Sequence, residues 1–244
     1  MQQSPIVSPT IRNSMAVAYL PSTHMVIAYG GRTSIQTVTE SNETWSWDGS
    51  KWLQIGVPGP SVHSPLMAYD GKAALVLYGF VPEGNHEVGQ TWTFDGTHWS
   101  QQQVTSPPAR SSAAMAWDPA SNRVIVFGGT VLSERRQVNE TWAWDGVGWS
   151  LLQPAHSPTA RQRSAMGPVS KTNTLLLVGG GSNVVFSDAW VWNGSDWGQV
   201  AGFGPRIDGS VADTDSGLIY FGGSGLSGET NDTWLWDGTT WQST

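Results

Sequence analysis

One ten-residue stretch returns five times in this chain and limits what it can fold into. It reads E-T-W-S-W-D-G-S-K-W at 43–52 and Q-T-W-T-F-D-G-T-H-W at 90–99. It recurs as E-T-W-A-W-D-G-V-G-W at 140–149, D-A-W-V-W-N-G-S-D-W at 188–197 and D-T-W-L-W-D-G-T-T-W at 232–241. The leading tryptophans, Trp45, Trp92, Trp142, Trp190 and Trp234, stand 47, 50, 48 and 44 residues apart. So regular a period marks a repeat architecture, in which each unit buries its apolar face only against a neighbour. Trp45 and Trp47 are two apart and leave one face of a strand. Asp48-Gly49 then turns the chain, and Trp52 returns opposite Trp47 as a cross-strand aromatic pair. Thr44 and Ser46 are left for the other face and the next repeat. Fourteen of the fifteen tryptophans occupy these hairpin positions, with Phe94 in the one gap. Such density also suits carbohydrate stacking, but the period assigns the indoles to the core between repeats.

The rest of the unit is as regular. Each repeat opens near a proline, often followed by arginine: S-P-T-I-R at 8–12, S-P-P-A-R at 106–110, S-P-T-A-R at 157–161 and G-P-R at 204–206. A first strand follows, then a turn such as D-P-A-S-N-R at 118–123, then an apolar strand closed by Gly-Gly. That second strand reads V-I-A-Y-G-G, V-I-V-F-G-G, L-L-L-V-G-G and L-I-Y-F-G-G in four repeats; the second repeat departs with L-V-L-Y-G-F, placing Phe80 at the second glycine. A loop of variable length leads to the tryptophan hairpin. No segment carries a helical period.

This arrangement resembles the kelch repeat of the galactose-oxidase-like β-propellers: a diglycine ending strand two, a variable loop, an aromatic strand three and a tryptophan in strand four. The resemblance spans essentially the whole chain. It implies an all-β fold, a single five-bladed β-propeller of four-stranded antiparallel blades over 1–244. The blades fall at about 8–56, 57–105, 106–155, 156–201 and 202–244. Because the chain runs from a first strand to a fourth, blades one and five are expected to meet by packing, with residues 2–7 near Trp241. Propellers host many unrelated activities, so the fold does not select one.

Composition removes several classes of function. A net charge of −7 gives no basic footprint, so no nucleic-acid partner is expected. With no cysteine there is no thiol nucleophile, no cysteine-ligated metal and no crosslinked tyrosine–cysteine copper cofactor. No apolar run approaches the ~20 residues of a membrane span, so no membrane partner is expected. The segment M-Q-Q-S-P-I-V-S-P has neither a basic stretch nor an apolar run; no signal peptide is expected, and the cytoplasm is favoured. No cofactor and no metal are expected, and the chain is expected to be a monomer. Glu83, His86 and Glu87 form a loop cluster that would suit a cation but reads as a solvated tip.

Alternation of strand direction divides the loops between two faces. The strand 2–3 and strand 4–1 connections share the variable face, about Arg32–Asn42, Val81–Gly89, Thr130–Asn139, Gly181–Ser187 and Ser224–Asn231. Loops held by a rigid scaffold carry function. Eight of nine arginines map there, all three lysines map opposite, and arginine is the residue suited to bidentate recognition of carboxylate or phosphate. The expected ligand-binding residues are Arg12, His63, Arg110, Arg161, Arg163, Arg206, Asp208 and Glu229, and the expected ligand is a peptide or a small anion. Arg12, Arg110, Arg161 and Arg206 have a structural alternative, bonding to loop carbonyls. His63, beside Val62 where the other repeats have arginine, breaks the symmetry. The alternative function is a propeller enzyme of the mutarotase, isomerase or lyase type. In it a carboxylate or His63 would act as base and arginine would steady negative charge.

Overall fold

A computed structural model describes residues 8–33 and 40–244. The expectation for residues 2–7, and most of the 32–42 loop, lies outside the described residues. The chain is all-β, with no helix among the described residues. Five antiparallel four-stranded sheets follow one another, each with its strands in sequence order. They comprise Ala16–Leu20 to Trp52–Ile55, His63–Tyr69 to Trp99–Gln102, Ala114–Asp118 to Trp149–Leu152, Ala165–Val169 to Trp197–Val200, and Ser210–Thr214 to Trp241–Ser243. The chain divides into two compact units, Met1–Ala109 with repeats one and two, and Arg110–Thr244 with repeats three to five.

The hairpin chemistry is the same in every sheet. Trp47 pairs with Trp52, Phe94 with Trp99, Trp144 with Trp149, Trp192 with Trp197 and Trp236 with Trp241. In the first turn the Asp48 carboxylate accepts the amides of Ser50 and Lys51, and Gly49 takes φ of 96°. Those donors hold the exposed Asp48 carboxyl down at about 2, the Lys51 amide contributing most. Asn193 performs the same turn in repeat four through its side-chain oxygen.

Neighbouring sheets interlock through the returning tryptophan. In the first unit the Trp99 indole N–H donates to the Thr44 hydroxyl at 2.9 Å, and its ring lies 5.0 Å from Tyr29. In the second, Trp197 donates to Thr141 at 3.0 Å and meets Phe127 at 5.2 Å. An indole buries a large apolar ring and still needs a partner for its one N–H, which the small hydroxyl face provides. Repeat four has Ala189 where a threonine would stand. Trp241 accordingly donates to the Ala201 carbonyl instead, and Phe203 fills the space 4.6 Å away.

The diglycine ends the second strand by geometry. Both glycines take positive φ, as in Gly128 (67°) and Gly129 (88°), which turns the chain out of the sheet. A Cβ on Gly179 would lie 2.2 Å from the Arg206 carbonyl oxygen of the following repeat. In repeat two Gly79 has no positive φ and Phe80 stays extended, so the strand runs on to Glu83. The expected loop Val81–Gly89 is therefore mostly strand: Leu75–Glu83 pairs with His86–Phe94 down to Glu83 opposite His86. Without the two left-handed residues nothing stops the ladder until Gly84. The corresponding segments of repeats three and five form shorter hairpins, Thr130–Val131 with Arg136–Gln137 and Ser224–Gly225 with Gly228–Glu229. No helix among the described residues is long and apolar enough to cross a membrane.

Candidate ligand-binding site

Four of the expected ligand arginines hold the repeats together internally. Arg110 reaches Glu140 at 2.6 Å and the Gly128 carbonyl at 3.1 Å. Arg161 makes two bonds to Asp188, at 2.6 and 2.8 Å, and one to the Gly179 carbonyl. Arg12 makes one bond to Glu43 and one to the Gly30 carbonyl, while Arg206 reaches Asp232. Each acid also accepts an indole N–H: Trp45 to Glu43, Trp142 to Glu140, Trp190 to Asp188 and Trp234 to Asp232. The result is a clamp of arginine, acid and tryptophan at the start of the third strand. Arg110 and Arg161 are fully buried in it.

The acids respond as clamped carboxylates should. The bond from Arg12 holds the Glu43 carboxyl below its ordinary range, with help from Trp45. Burial alone would raise Glu140 and Asp188. Hydrogen bonds from Trp142 and Arg110, and from Arg161 and Trp190, more than offset it and leave both lowered. Repeat two has Val62 for the arginine and Gln90 for the acid, and Trp92 donates to the Gln90 amide oxygen at 3.0 Å. Both charges are replaced together, because either one alone would be an unpaired charge in a confined place. Repeat five is the least complete clamp: among the described residues, Arg206 Nε and Asp232 Oδ1 are buried without a partner.

Two positions beyond each clamp arginine, and beyond Val62 in repeat two, the backbone is left-handed, so that all five repeats share the feature. The residues are Ser14, Ser64, Ser112, Arg163 and Asp208, with φ of 57°, 47°, 56°, 61° and 58°. In the second unit these positions are linked in series, the Arg163 amide donating to the Ser112 carbonyl and the Asp208 amide to the Arg163 carbonyl. Three repeats meet the backbone requirement with serine. Arginine at positive φ is disfavoured, more so than the short polar residues that bond locally. The backbone alone therefore does not select arginine at 163.

Arg163 and Asp208 face each other as a side-on pair, Nε to Oδ1 at 2.9 Å and Nη2 to Oδ2. Their side chains remain 43% and 47% exposed. An ion pair so open to water contributes little and exchanges readily. Two cavities meet at Arg163. The larger, about 590 Å³, is walled by Gln162, Asn183, Val184, Val185, Ile207 and Leu226. The other, about 480 Å³, is walled by Asp208, Phe221, Ser224, Glu229 and Thr230. Both volumes suit a small organic molecule.

The structure thus gathers Arg163, Asp208 and Glu229 around adjoining cavities in the second unit. Arg12, Arg110, Arg161 and Arg206 go to the clamps. His63 belongs to the first unit, where its Nδ1 lies 3.2 Å from Glu40, which also accepts from Arg32 at 2.9 Å. The His63 ring stacks on Phe80 at 5.5 Å, so the residue that replaces the second glycine also supports the imidazole. Sequence reasoning missed Val184, Val185, Ile207 and Leu226; the available signal was apolar side chains within otherwise polar, glycine-rich loops. Among the described residues no three histidine or acidic side chains converge as metal ligands. No protein-family model matches this chain, and a search of curated proteins finds none that matches it.

Proposed function

We propose that the chain is a five-bladed, kelch-like propeller, monomeric, that serves as a binding module for a carboxylate-bearing small molecule or peptide. Its site is the pair of cavities around Arg163. The observation that carries this reading is the replacement of serine by a half-exposed arginine at a left-handed position, on the wall of both cavities. The Asp208 carboxylate already occupies the guanidinium fork in the geometry a ligand would use. The ring reading is supported by the shared indole–hydroxyl interlock of successive repeats. A crystal structure with five sheets about one axis would bear it out, and a sheet supplied by a second molecule would sink it.

The binding test is a thermal-shift and calorimetric screen of mono- and dicarboxylates, sulfate and acidic peptides against the native chain and Arg163→Ser. Serine is compatible with the backbone, since Ser14, Ser64 and Ser112 occupy equivalent places. At least one carboxylate is expected to bind the native chain and to lose about tenfold or more in affinity with the variant. Equal binding by both proteins discards the site. A catalytic reading, as an isomerase or lyase, is favoured by one contact: Glu40 on Nδ1 would orient His63 to act as a base through Nε2. Turnover of a sugar or hydroxy acid that disappears with His63→Ala would establish it.

A further inference from the structure

From the charges and the apolar wall around Arg163 we infer that the ligand is a free aliphatic α-amino acid, an inference that rests on the binding reading above. The argument follows what happens when a ligand carboxylate takes the Arg163 fork. Asp208 then loses its only ion-pair partner among the described residues. Glu229 stands on the same cavity wall, exposed and outside any ion pair among the described residues. A plain anion would therefore leave three carboxylates near one guanidinium, and like charges so placed oppose binding. A ligand carrying its own cation removes the conflict, because an ammonium can take up Asp208 and Glu229 as the carboxylate takes up Arg163.

The third group is set by the adjoining cavity. Val184, Val185, Ile207 and Leu226 supply branched aliphatic surface, and Val184 and Leu226 are 60% and 78% exposed. Large apolar side chains left so open at a cavity wall gain from being covered by an apolar ligand group. Arg163 lies on the walls of both cavities, so a carboxylate held there has acidic residues on one side and aliphatic ones on the other. Carboxylate, ammonium and branched aliphatic side chain radiate from one carbon in leucine, isoleucine and valine. A peptide C-terminus shares the carboxylate and the side chain but lacks the ammonium next to them.

Calorimetry with four probes tests this: L-leucine, L-leucinamide, 4-methylpentanoate and N-acetyl-glycyl-L-leucine. L-Leucine is expected to bind, and each of the other three to bind about tenfold or more weakly, because each lacks one charged group. Arg163→Ser should abolish the advantage of leucine over leucinamide, and Asp208→Ser its advantage over 4-methylpentanoate. Serine at both positions keeps the backbone used by other repeats. If 4-methylpentanoate or the acetylated dipeptide binds as well as leucine, and Arg163→Ser removes that binding, the amino-acid inference fails while the carboxylate site stands. If no carboxylate binds in a way that Arg163→Ser changes, both readings fail.

Discussion

Arg161 has no exposed guanidinium surface, and its charge is met by a bidentate Asp188 and the Gly179 carbonyl. Removing one partner of such a pair leaves the other charged and poorly solvated. Arg161→Ala is expected to cost about 3–5 kcal/mol in urea unfolding. Arg161→Val combined with Asp188→Gln should cost clearly less than the single change, because Val62 and Gln90 already solve the problem that way in repeat two. A double variant less stable than Arg161→Ala would overturn this account. The same pair carries a pH dependence. Because the folded carboxyls of Asp188 and Glu140 are lowered, their contribution is complete above the ordinary carboxylate pKa of about 4 and is lost as pH falls through the folded values. Urea midpoints followed from neutral to acid pH should therefore drop more steeply in the native chain than in the double variant.

At the scale of the element, the tryptophans that reach the preceding repeat do more for cohesion than the first tryptophan of the hairpin; Trp192 is buried and donates to Asp118. Trp197 is buried, bonds Thr141 and touches Phe127 of the preceding repeat, whereas Trp142 is only partly buried. Trp197→Ala should cost about 3–5 kcal/mol and Trp142→Ala distinctly less, as read by chemical denaturation. Equal losses would mean that the interlock is not what joins the repeats. The hairpins, their turns and the diglycine strand ends were legible because each is local, with the residues that cause it within ten positions. The long hairpin of repeat two was half legible. Phe80 announced a departure, but its effect depends on two missing left-handed residues rather than on any strand-forming signal. The clamps were half legible: bonding of these arginines to loop carbonyls was the structural alternative and is found, but Arg110 and Arg161 meet their acids 30 and 27 residues later, beyond any local pattern. In the site, Arg163, Asp208 and Glu229 were found through the partition of charge. Its aliphatic wall was not, because isolated apolar residues in loops have no period to reveal them.

For the whole molecule, nineteen acids against twelve bases place the isoelectric point near 5.0. At that pH the lowered clamp acids are still ionised, so loss of net charge comes before loss of structure on acidification. Light scattering should rise near pH 5 while the circular dichroism of the redissolved protein stays native; a precipitate that redissolves unfolded would contradict the order. The left-handed position shared by all five repeats has a different kind of consequence. Its backbone is set by the chain around it, and in the second unit by amide–carbonyl bonds to neighbouring repeats, while its occupant ranges from serine to arginine to aspartate. Positions 112, 163 and 208 of the second unit thus act as three type-cases in one printer's frame. A new letter can be set in each without recasting the frame, which makes them the natural sites for a combinatorial library in search of altered ligand preference.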